Sequence, residues 1–277
     1  MGIFDGAILF SDIDGTLLEN GVIPQRNIEK IEFFIKEGGK FSLATGRHYS
    51  ANFDIVEAIP GVSLAIATNG GVVYNYENNT IIHQETFPKS DYHFVLDVIN
   101  SGIDFGVEVY AGTKLFTLNR NGKTDEHQAS QHLETNVVTY DEAANYNWNK
   151  VLYMLDSEED YEKIIAITSK TSSNCDFIKT CTYINGNKRY YFEQMPKNIT
   201  KDVGIEKLCK ILNIKKGMCF AIGDYFNDYT MVKNADIGAT TAEAPDEIKQ
   251  VADFVGGCCK DGAVADFIDY LTKKFKN

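Results

Sequence analysis

The chain has 277 residues, of which 44% are hydrophobic and 24% charged, proportions that suit a globular protein with one large domain or two smaller ones. Its formal net charge of -12 argues against nucleic acid as a main partner, because phosphate backbones are bound by clusters of Lys and Arg. No apolar stretch approaches the roughly 18 to 20 residues of a membrane span, so we expect no membrane partner.

The first residues and the cysteines indicate a cytoplasmic protein. Residues 1–5 lack the basic start of a secretory signal. Of the six cysteines, Cys258 and Cys259 are adjacent, a spacing that suits neither a regular disulfide framework nor a C-x-x-C metal site. We therefore expect all of the cysteines to be reduced thiols, as is usual in the cytoplasm.

The first predicted strand, residues 7–10, is followed by two acids, Asp12 and Asp14. The pattern D-x-D-G also occurs in plain turns and in calcium loops, but Leu17 and Leu18 stand where a calcium loop needs oxygen ligands. A plain turn does not explain two carboxylates behind an apolar run, since such groups must stay hydrated. Because open α/β sheets bind ligands at the carboxyl ends of their strands, Asp12 is predicted to be a nucleophile.

Strands and helices then alternate. Apolar spacing predicts helices over 27–38 and 49–58 and strands over 40–44 and 63–68. This order is typical of an α/β fold with a doubly wound parallel sheet. The first strands are followed by the sequences DIDGT, TGR and NGG, so polar residues from all of them are expected at one edge of the sheet.

A second domain is predicted where this alternation changes. Helices over 92–100 and 158–170 interrupt strands whose alternating residues suggest an antiparallel sheet with one solvated face. These strands are predicted at 80–87, 103–110, 114–118, 151–155, 182–184 and 189–193. We therefore expect an α+β cap domain, 86–190, inserted into a core domain formed by 1–85 and 191–277.

The parallel pattern resumes after the cap. A helix is predicted over 203–212, and a strand over 218–222 is followed by a second acidic segment. A further strand and two helices complete the core, at 236–239, 245–253 and 263–273.

The acids predicted at one edge of the sheet are Asp12, Asp14, Asp224 and Asp228. Two like charges about 4 Å apart repel by about 1 kcal/mol in water and about 4 kcal/mol at an effective dielectric constant of about 20. A divalent cation removes this penalty, and Mg²⁺ prefers few carboxylates together with water and phosphate oxygens. The alternative for Asp224 and Asp228 is helix capping.

Lys201 stands at the start of a predicted helix, where the helix dipole disfavours a cation. It is either an ordinary exposed charge, as most lysines are, or a group that holds the nucleophile and a phosphoryl group. Thr45 and the amide of Gly46 offer uncharged donors for phosphate oxygens.

The ordered motifs DIDGTL at 12–17, TGR at 45–47, Lys201 and GDYFND at 223–228 resemble those of the haloacid dehalogenase superfamily of aspartyl phosphatases. In addition, ATNGG at 67–71 and APDEIKQVADFV at 244–255 resemble the Cof-type sugar-phosphate phosphatases, which carry a large α+β cap.

The resemblance implies a Rossmann-like core and assigns roles by position. Asp12 would become an aspartyl-phosphate, and Asp14 would protonate the leaving alcohol and then activate water. Thr45 and Lys201 would bind the phosphoryl group. Mg²⁺ would be held by Asp12, by the carbonyl of Asp14 and by Asp224, with Asp228 as a ligand or beside one. Asn227 would brace Lys201 or the phosphate, and Arg47 and Asn69 would face the region where cap and core meet.

The chain departs from the family pattern next to two motifs. Asp202 follows Lys201 where Gly is common, which adds an acid near the lysine. His48 follows Arg47 where Pro is frequent, and we expect it at the surface.

Substrate choice is expected to lie in the cap. The candidates are Glu108, Tyr110, Arg189 and Tyr191, although each is also explained as an ordinary strand side chain. His127 and His132 are five residues apart and do not share a helical face, so a zinc pair is not expected.

The leading prediction is a Mg²⁺-dependent phosphatase that acts on a small phosphorylated metabolite, a sugar phosphate. The alternatives are a phosphomutase of the same superfamily and a phosphosugar-binding regulator without turnover. The expected partner is a small phosphate ester, and the protein is expected to be a monomer or a homodimer.

Overall fold

The structure is a computed structural model that describes residues 2–169, 174–184 and 187–276. Residue 170, the predicted end of the second cap helix, lies outside the described residues. The strands are β1 Ile8–Ser11, β2 Lys40–Ala44, β3 Leu64–Ala67, β4 Val72–Asn75, β5 Thr80–Gln84, β6 Gly106–Ala111, β7 Lys114–Asn119, β8 Asn136–Val137, β9 Lys150–Leu155, β10 Cys175–Ile184, β11 Asn187–Pro196, β12 Cys219–Gly223, β13 Ile237–Thr240 and β14 Phe254–Val255.

The helices alternate with these strands over much of the chain. They are α1 Gln25–Lys36, α2 Phe53–Ala58, α3 His93–Ile99, α4 Gly122–Ser130, α5 Tyr140–Ala143, α6 Glu158–Thr168, α7 Lys201–Ile211, α8 Tyr229–Asn234, α9 Asp246–Lys249 and α10 Ala263–Lys276. No helix among the described residues is both long and apolar enough to cross a bilayer. The six cysteines all belong to the described part of the chain and form no disulfide bond there.

The chain divides into two compact units, Met1–His83 with Thr200–Asn277 and Gln84–Ile199. The cap was predicted over 86–190, so the second boundary lies nine residues later than expected. The reason is β11, which continues to Pro196 and pairs along its whole length with β10. Its final residues therefore stay with the sheet of the second unit.

The first unit is built on a sheet with the strand order β14-β13-β12-β1-β2-β3-β4-β5. β1 lies parallel to both β12 and β2, which places the ends of these three strands at one edge. β1 is buried on both faces, as expected for a central parallel strand. Leu9 packs with α1 and α10 on one side, whereas Ile8 and Phe10 pack with α7 and α8 on the other. The predicted doubly wound α/β core is thereby confirmed.

One edge of this sheet differs from the prediction. β4 was not predicted, and it pairs antiparallel to β3. β5 lies where the strand-helix alternation was predicted to change, but within the predicted core range 1–85, and it is the next strand of the same sheet. Antiparallel strands of this kind are joined without a crossover helix, so the alternation of strands and helices in the sequence does not predict them.

The second unit has a sheet with the order β10-β11-β9-β6-β7-β8 and a hydrophobic core of its own. β9 pairs antiparallel to β6 and to β11, as the alternating sequence predicts. The helices α4 and α5 were not predicted. Of the residues in α4, Ala129 alone is aliphatic, so no apolar period marks the helix, which is instead stabilised at its start by the side chain of Asn121.

Candidate active site

Asp12 and Lys201 meet at the carboxyl end of β1. The backbone N–H of Asp12 donates to the carbonyl of Ile222 on β12 at 3.0 Å, which fixes the residue just beyond the strand. Lys201 is the first residue of α7 and is completely buried. Its Nζ donates to Asp12 Oδ1 and to Asp228 Oδ1, each at 2.5 Å. Lys201 is therefore not an ordinary exposed charge, and it contacts the predicted nucleophile Asp12. Its contact with a phosphoryl group stays a prediction.

The acids shift one another's protonation. Burial raises the pKa of the Asp12 carboxyl well above its ordinary value, Lys201 opposes this shift, and the charges of Asp228 and Asp224 add to it. Complete burial works against the charged form of Lys201, but Asp12 and Asp228 outweigh it and raise the lysine pKa. Burial and then the charge of Asp228 raise the pKa of Asp224 to about 6. The single ammonium group of Lys201 does not balance the charge of three carboxylates, so this cluster favours the binding of a further cation.

Asp224 and Asp228 follow β12, and each also accepts hydrogen bonds from neutral donors. The hydroxyl of Thr16 donates to Asp224 Oδ1 at 2.8 Å. The Oδ2 of Asp228 accepts the backbone N–H groups of Asp224 and Tyr225 at 3.0 and 3.3 Å. Asp12, Asp224 and Asp228 each offer a carboxylate oxygen, and these oxygens lie within 4.8 Å of one another, close enough to bind one metal ion.

Two glycines permit this close approach. Gly15 has a φ of +83°, and a Cβ built on it would lie 2.5 Å from Asp224 Oδ2. A Cβ on Gly223 would lie 2.5 Å from the Cβ of Asp228. Any side chain at either position would collide with one of the acids, so both glycines are required by packing, and Gly15 is required by its backbone conformation as well.

Asp14 differs from Asp12 in its surroundings. Its side chain is 58% exposed and pairs with Arg47, whose Nε and Nη2 donate to the two carboxylate oxygens at 2.8 and 2.5 Å. Such a bidentate pair fixes the orientation of both groups. The structure thus brings Arg47 to Asp14, a contact that the sequence did not predict.

Thr45, Gly46 and Asn69 lie together just beyond β2 and β3. The backbone N–H of Asn69, in the turn after β3, donates to the carbonyl of Thr45 at 3.0 Å. A Cβ on Gly46 would lie 3.0 Å from Asn69 Oδ1, so the two loops touch. Thr68, Asn69 and Gly70 all have positive φ values, from 49° to 102°, a costly conformation for Thr that often marks functional loops.

Asn227 is exposed, and among the described residues no hydrogen bond joins its side chain to Lys201, whose partner on this segment is Asp228. That Asn227 braces the phosphate instead stays a prediction. His48 was expected at the surface but is 2% exposed, with its ring 4.4 Å from that of Tyr49. The Nδ1 of His48 accepts the backbone N–H of Ser50 at 3.3 Å, so the side chain caps the short helical turn Tyr49–Asn52.

The candidates in the second unit share one face of its sheet. Strand pairing places Glu108, Tyr110, Arg189 and Tyr191 on the side opposite the hydrophobic core of that unit. Glu108 is buried and lies 3.0 Å from the Nδ1 of His127, whereas His132 is exposed. Their role in substrate choice stays a prediction.

Sequence reasoning missed the structural parts played by Thr16 and Asp202. Thr16 belongs to the first motif, but nothing in a single sequence connects it with an aspartate 208 residues away. Asp202 was noticed only as a departure beside Lys201. Its carboxylate accepts hydrogen bonds from Thr230 and Asn234 of α8, contacts that depend on tertiary packing.

Comparison with known proteins adds to this geometry. A family model described as haloacid dehalogenase-like hydrolase matches residues 9–268. Phosphatase YwpJ of Bacillus subtilis is 24% identical in an alignment that covers 94% of this chain and 98% of YwpJ. The 5-amino-6-(5-phospho-D-ribitylamino)uracil phosphatase YwtE of the same organism is 25% identical, with 94% and 96% covered.

Solved structures share the fold at lower identity. The HAD subclass IIB sugar phosphatase BT4131 superposes with a TM-score of 0.79 at 20% identity, covering 96% of this chain and 99% of the other. TM0651 from Thermotoga maritima superposes with a TM-score of 0.78 at 20% identity, covering 95% and 97%.

Proposed function

Since this chain belongs to the haloacid dehalogenase-like hydrolases, we propose that it is a Mg²⁺-dependent phosphatase that hydrolyses a small phosphorylated metabolite, a sugar phosphate, through a phosphorylated Asp12. The observation that supports this most is the buried contact of Lys201 with Asp12 and Asp228 next to Asp224. The names of similar proteins, a sugar phosphatase and a phosphatase of a ribityl phosphate, point to the same substrate class.

The donor set fits a hard divalent cation. Both carboxylate oxygens of Asp228 already accept hydrogen bonds, one from Lys201 and the other from two backbone N–H groups. We therefore assign the carboxylates of Asp12 and Asp224 and the carbonyl of Asp14 as ligands of Mg²⁺. Asp228 instead holds the Lys201 ammonium. When bound, the cation supplies charge neutralisation for the carboxylates and the phosphoryl oxygens.

The protein groups then divide the reaction between them. The Asp12 carboxylate attacks phosphorus, and the bond from phosphorus to the ester oxygen breaks as Asp14 gives that oxygen a proton. Lys201 and the Thr45 hydroxyl hold the phosphoryl oxygens. Asp14 next takes a proton from water, which attacks phosphorus and releases phosphate and the free Asp12 carboxylate. The bidentate contact with Arg47 orients the ionised form of Asp14, which is the form that takes the proton from water.

The test is an assay of the purified protein against sugar phosphates, nucleotides and pyridoxal phosphate. We expect phosphate release from at least one sugar phosphate, its loss with a chelator and its return with Mg²⁺. Asp12→Asn should abolish the activity, whereas Asp253→Asn, which changes an exposed carboxylate of the same unit, should not. Hydrolysis by Asp12→Asn at the wild-type rate would refute the proposal.

The same assay separates the two alternatives. A phosphomutase would interconvert sugar phosphates when stimulated by a sugar bisphosphate, without net release of phosphate. A binding protein would retain its sugar phosphate unchanged. Either result would replace the phosphatase assignment.

A further inference from the structure

Asp202 connects the two helices that flank the acids. It is the second residue of α7, and its Oδ1 accepts the hydroxyls of Thr200 at 2.6 Å and of Thr230 at 2.5 Å. Its Oδ2 accepts the side-chain amide of Asn234 at 3.0 Å. Thr230 and Asn234 are four residues apart and share one face of α8. A single carboxylate thus joins the first turn of α7 to α8.

Each of the two helices that Asp202 joins begins at, or directly after, a residue of the site. Lys201 precedes Asp202 directly, and Asp228 precedes α8 directly. The contact between the Lys201 ammonium and the Asp228 carboxylate therefore depends on how α7 and α8 are placed. Asp202 also supplies negative charge at a helix start that carries a buried lysine, where the helix dipole disfavours a cation.

The opposite side of α7 is fixed by backbone packing. A Cβ on Gly204 would lie 2.6 Å from Ile66 Cγ2 and 3.0 Å from the Cα of Gly70. A Cβ on Gly70 would lie 2.1 Å from the carbonyl oxygen of Thr200. The start of α7 therefore lies directly against the turn that follows β3, with no side chain between them, and Asp202 holds its other side.

We propose that Asp202 is a positioning residue, which sets the place of the Lys201 ammonium between Asp12 and Asp228. Its catalytic consequence rests on the proposed phosphatase function. Since a misplacement of about 1 Å costs up to 100-fold in rate, loss of this link should lower kcat more than it changes KM.

The variants are Asp202→Ala, Asp202→Asn and Thr230→Val. We expect Asp202→Ala to lower kcat about 10-fold with KM within about 2-fold of wild type. Asp202→Asn keeps an oxygen that accepts the two threonine hydroxyls, so it should retain at least about half of kcat. Thr230→Val removes one hydrogen-bond donor at nearly constant volume, and its kcat should lie between those of Asp202→Ala and Asp202→Asn.

The matched control is Asp266→Ala. Asp266 also joins separate elements, since its carboxylate accepts the backbone N–H of Gly257 at 2.9 Å and pairs with Arg26 at 2.6 Å. Its removal should lower stability and leave kcat unchanged. An equal fall of kcat in Asp266→Ala and Asp202→Ala would overturn the proposal, because general destabilisation would then explain both.

A structural readout separates this proposal from the proposed function. Crystal structures of wild type and Asp202→Ala should show the Lys201 Nζ moved away from at least one carboxylate in the variant. An unchanged position of Nζ would overturn the positioning role, whatever the activity. Absence of turnover in wild-type protein would refute the phosphatase assignment and leave the crystallographic comparison decisive for Asp202.

Discussion

At the scale of single residues, the site depends on buried polar groups that satisfy one another. The sequence predicted that four residues converge, because each follows a strand of the core sheet or begins a helix that packs on it. The structure brings these residues together: Asp12, Lys201, Asp224 and Asp228. His48 was expected at the surface but is buried. Which way a side chain points within a short turn has no period in the sequence, so only tertiary contacts decide it.

Thr16 provides a prediction at this scale. Its hydroxyl donates to Asp224 Oδ1 and orients a carboxylate that we assign to Mg²⁺. Loss of such a supporting hydrogen bond typically costs about 10–100-fold in metal affinity. Thr16→Val should therefore raise the Mg²⁺ concentration for half-maximal activity by about that factor.

The control for Thr16 is Thr272→Val. Thr272 lies on α10, where its hydroxyl donates to the carbonyl of Ile268. Its substitution should leave the Mg²⁺ requirement unchanged. The same Mg²⁺ dependence in Thr16→Val and wild type would show that Thr16 does not support the metal ligand.

At the scale of elements, the core was predictable wherever strands and helices alternate. β2 was predicted with its observed bounds, because Gly38 and Gly39 separate it from α1 and a polar turn follows it. The elements that the sequence did not predict are short or polar. No crossover helix precedes β4, and α4 has no apolar stripe. Neither element therefore produces the periodic pattern on which prediction depends.

The link between α7 and α8 predicts a dependence of stability on pH. Partial burial of the Asp202 carboxylate works to raise its pKa, but hydrogen bonds from Thr200, Thr230 and Asn234 together outweigh burial, and the pKa is lowered. The charged carboxylate therefore stabilises the folded state above its unfolded pKa of about 3.9. This contribution is lost as the pH falls through the lower, folded pKa.

Urea unfolding of wild type and Asp202→Asn measures this contribution. The difference in the free energy of unfolding should be constant near neutral pH and should shrink below about pH 4. A difference that grows as the pH falls would contradict the lowered pKa of Asp202.

At the scale of the whole molecule, the two compact units each have a hydrophobic core. Trp148, the single tryptophan of the chain, is completely buried in the second unit and stacks on Tyr92 with 3.7 Å between ring centroids. Its fluorescence should therefore report the unfolding of that unit. The sequence predicted the division into two domains from the change in strand pattern, but the end of β11 depends on its pairing with β10.

Matched core truncations test whether the units are energetically separate. Phe192→Ala in the second unit should destabilise it by about 3–5 kcal/mol and shift the tryptophan transition to lower urea concentration. Phe34→Ala makes an equivalent cavity in the first unit and should leave that transition in place. Equal shifts in both variants would show that the two cores unfold as one.

The central claim is that Asp12 carries the phosphoryl group during turnover. The most direct measurement is an acid-quenched reaction with a radiolabelled sugar phosphate that the assay identifies as a substrate, followed by borohydride reduction and peptide mapping. We expect transient label on the protein, released by hydroxylamine as an acyl phosphate is, and conversion of Asp12 to homoserine. Label on another residue, or turnover during which no label reaches the protein, would contradict the account.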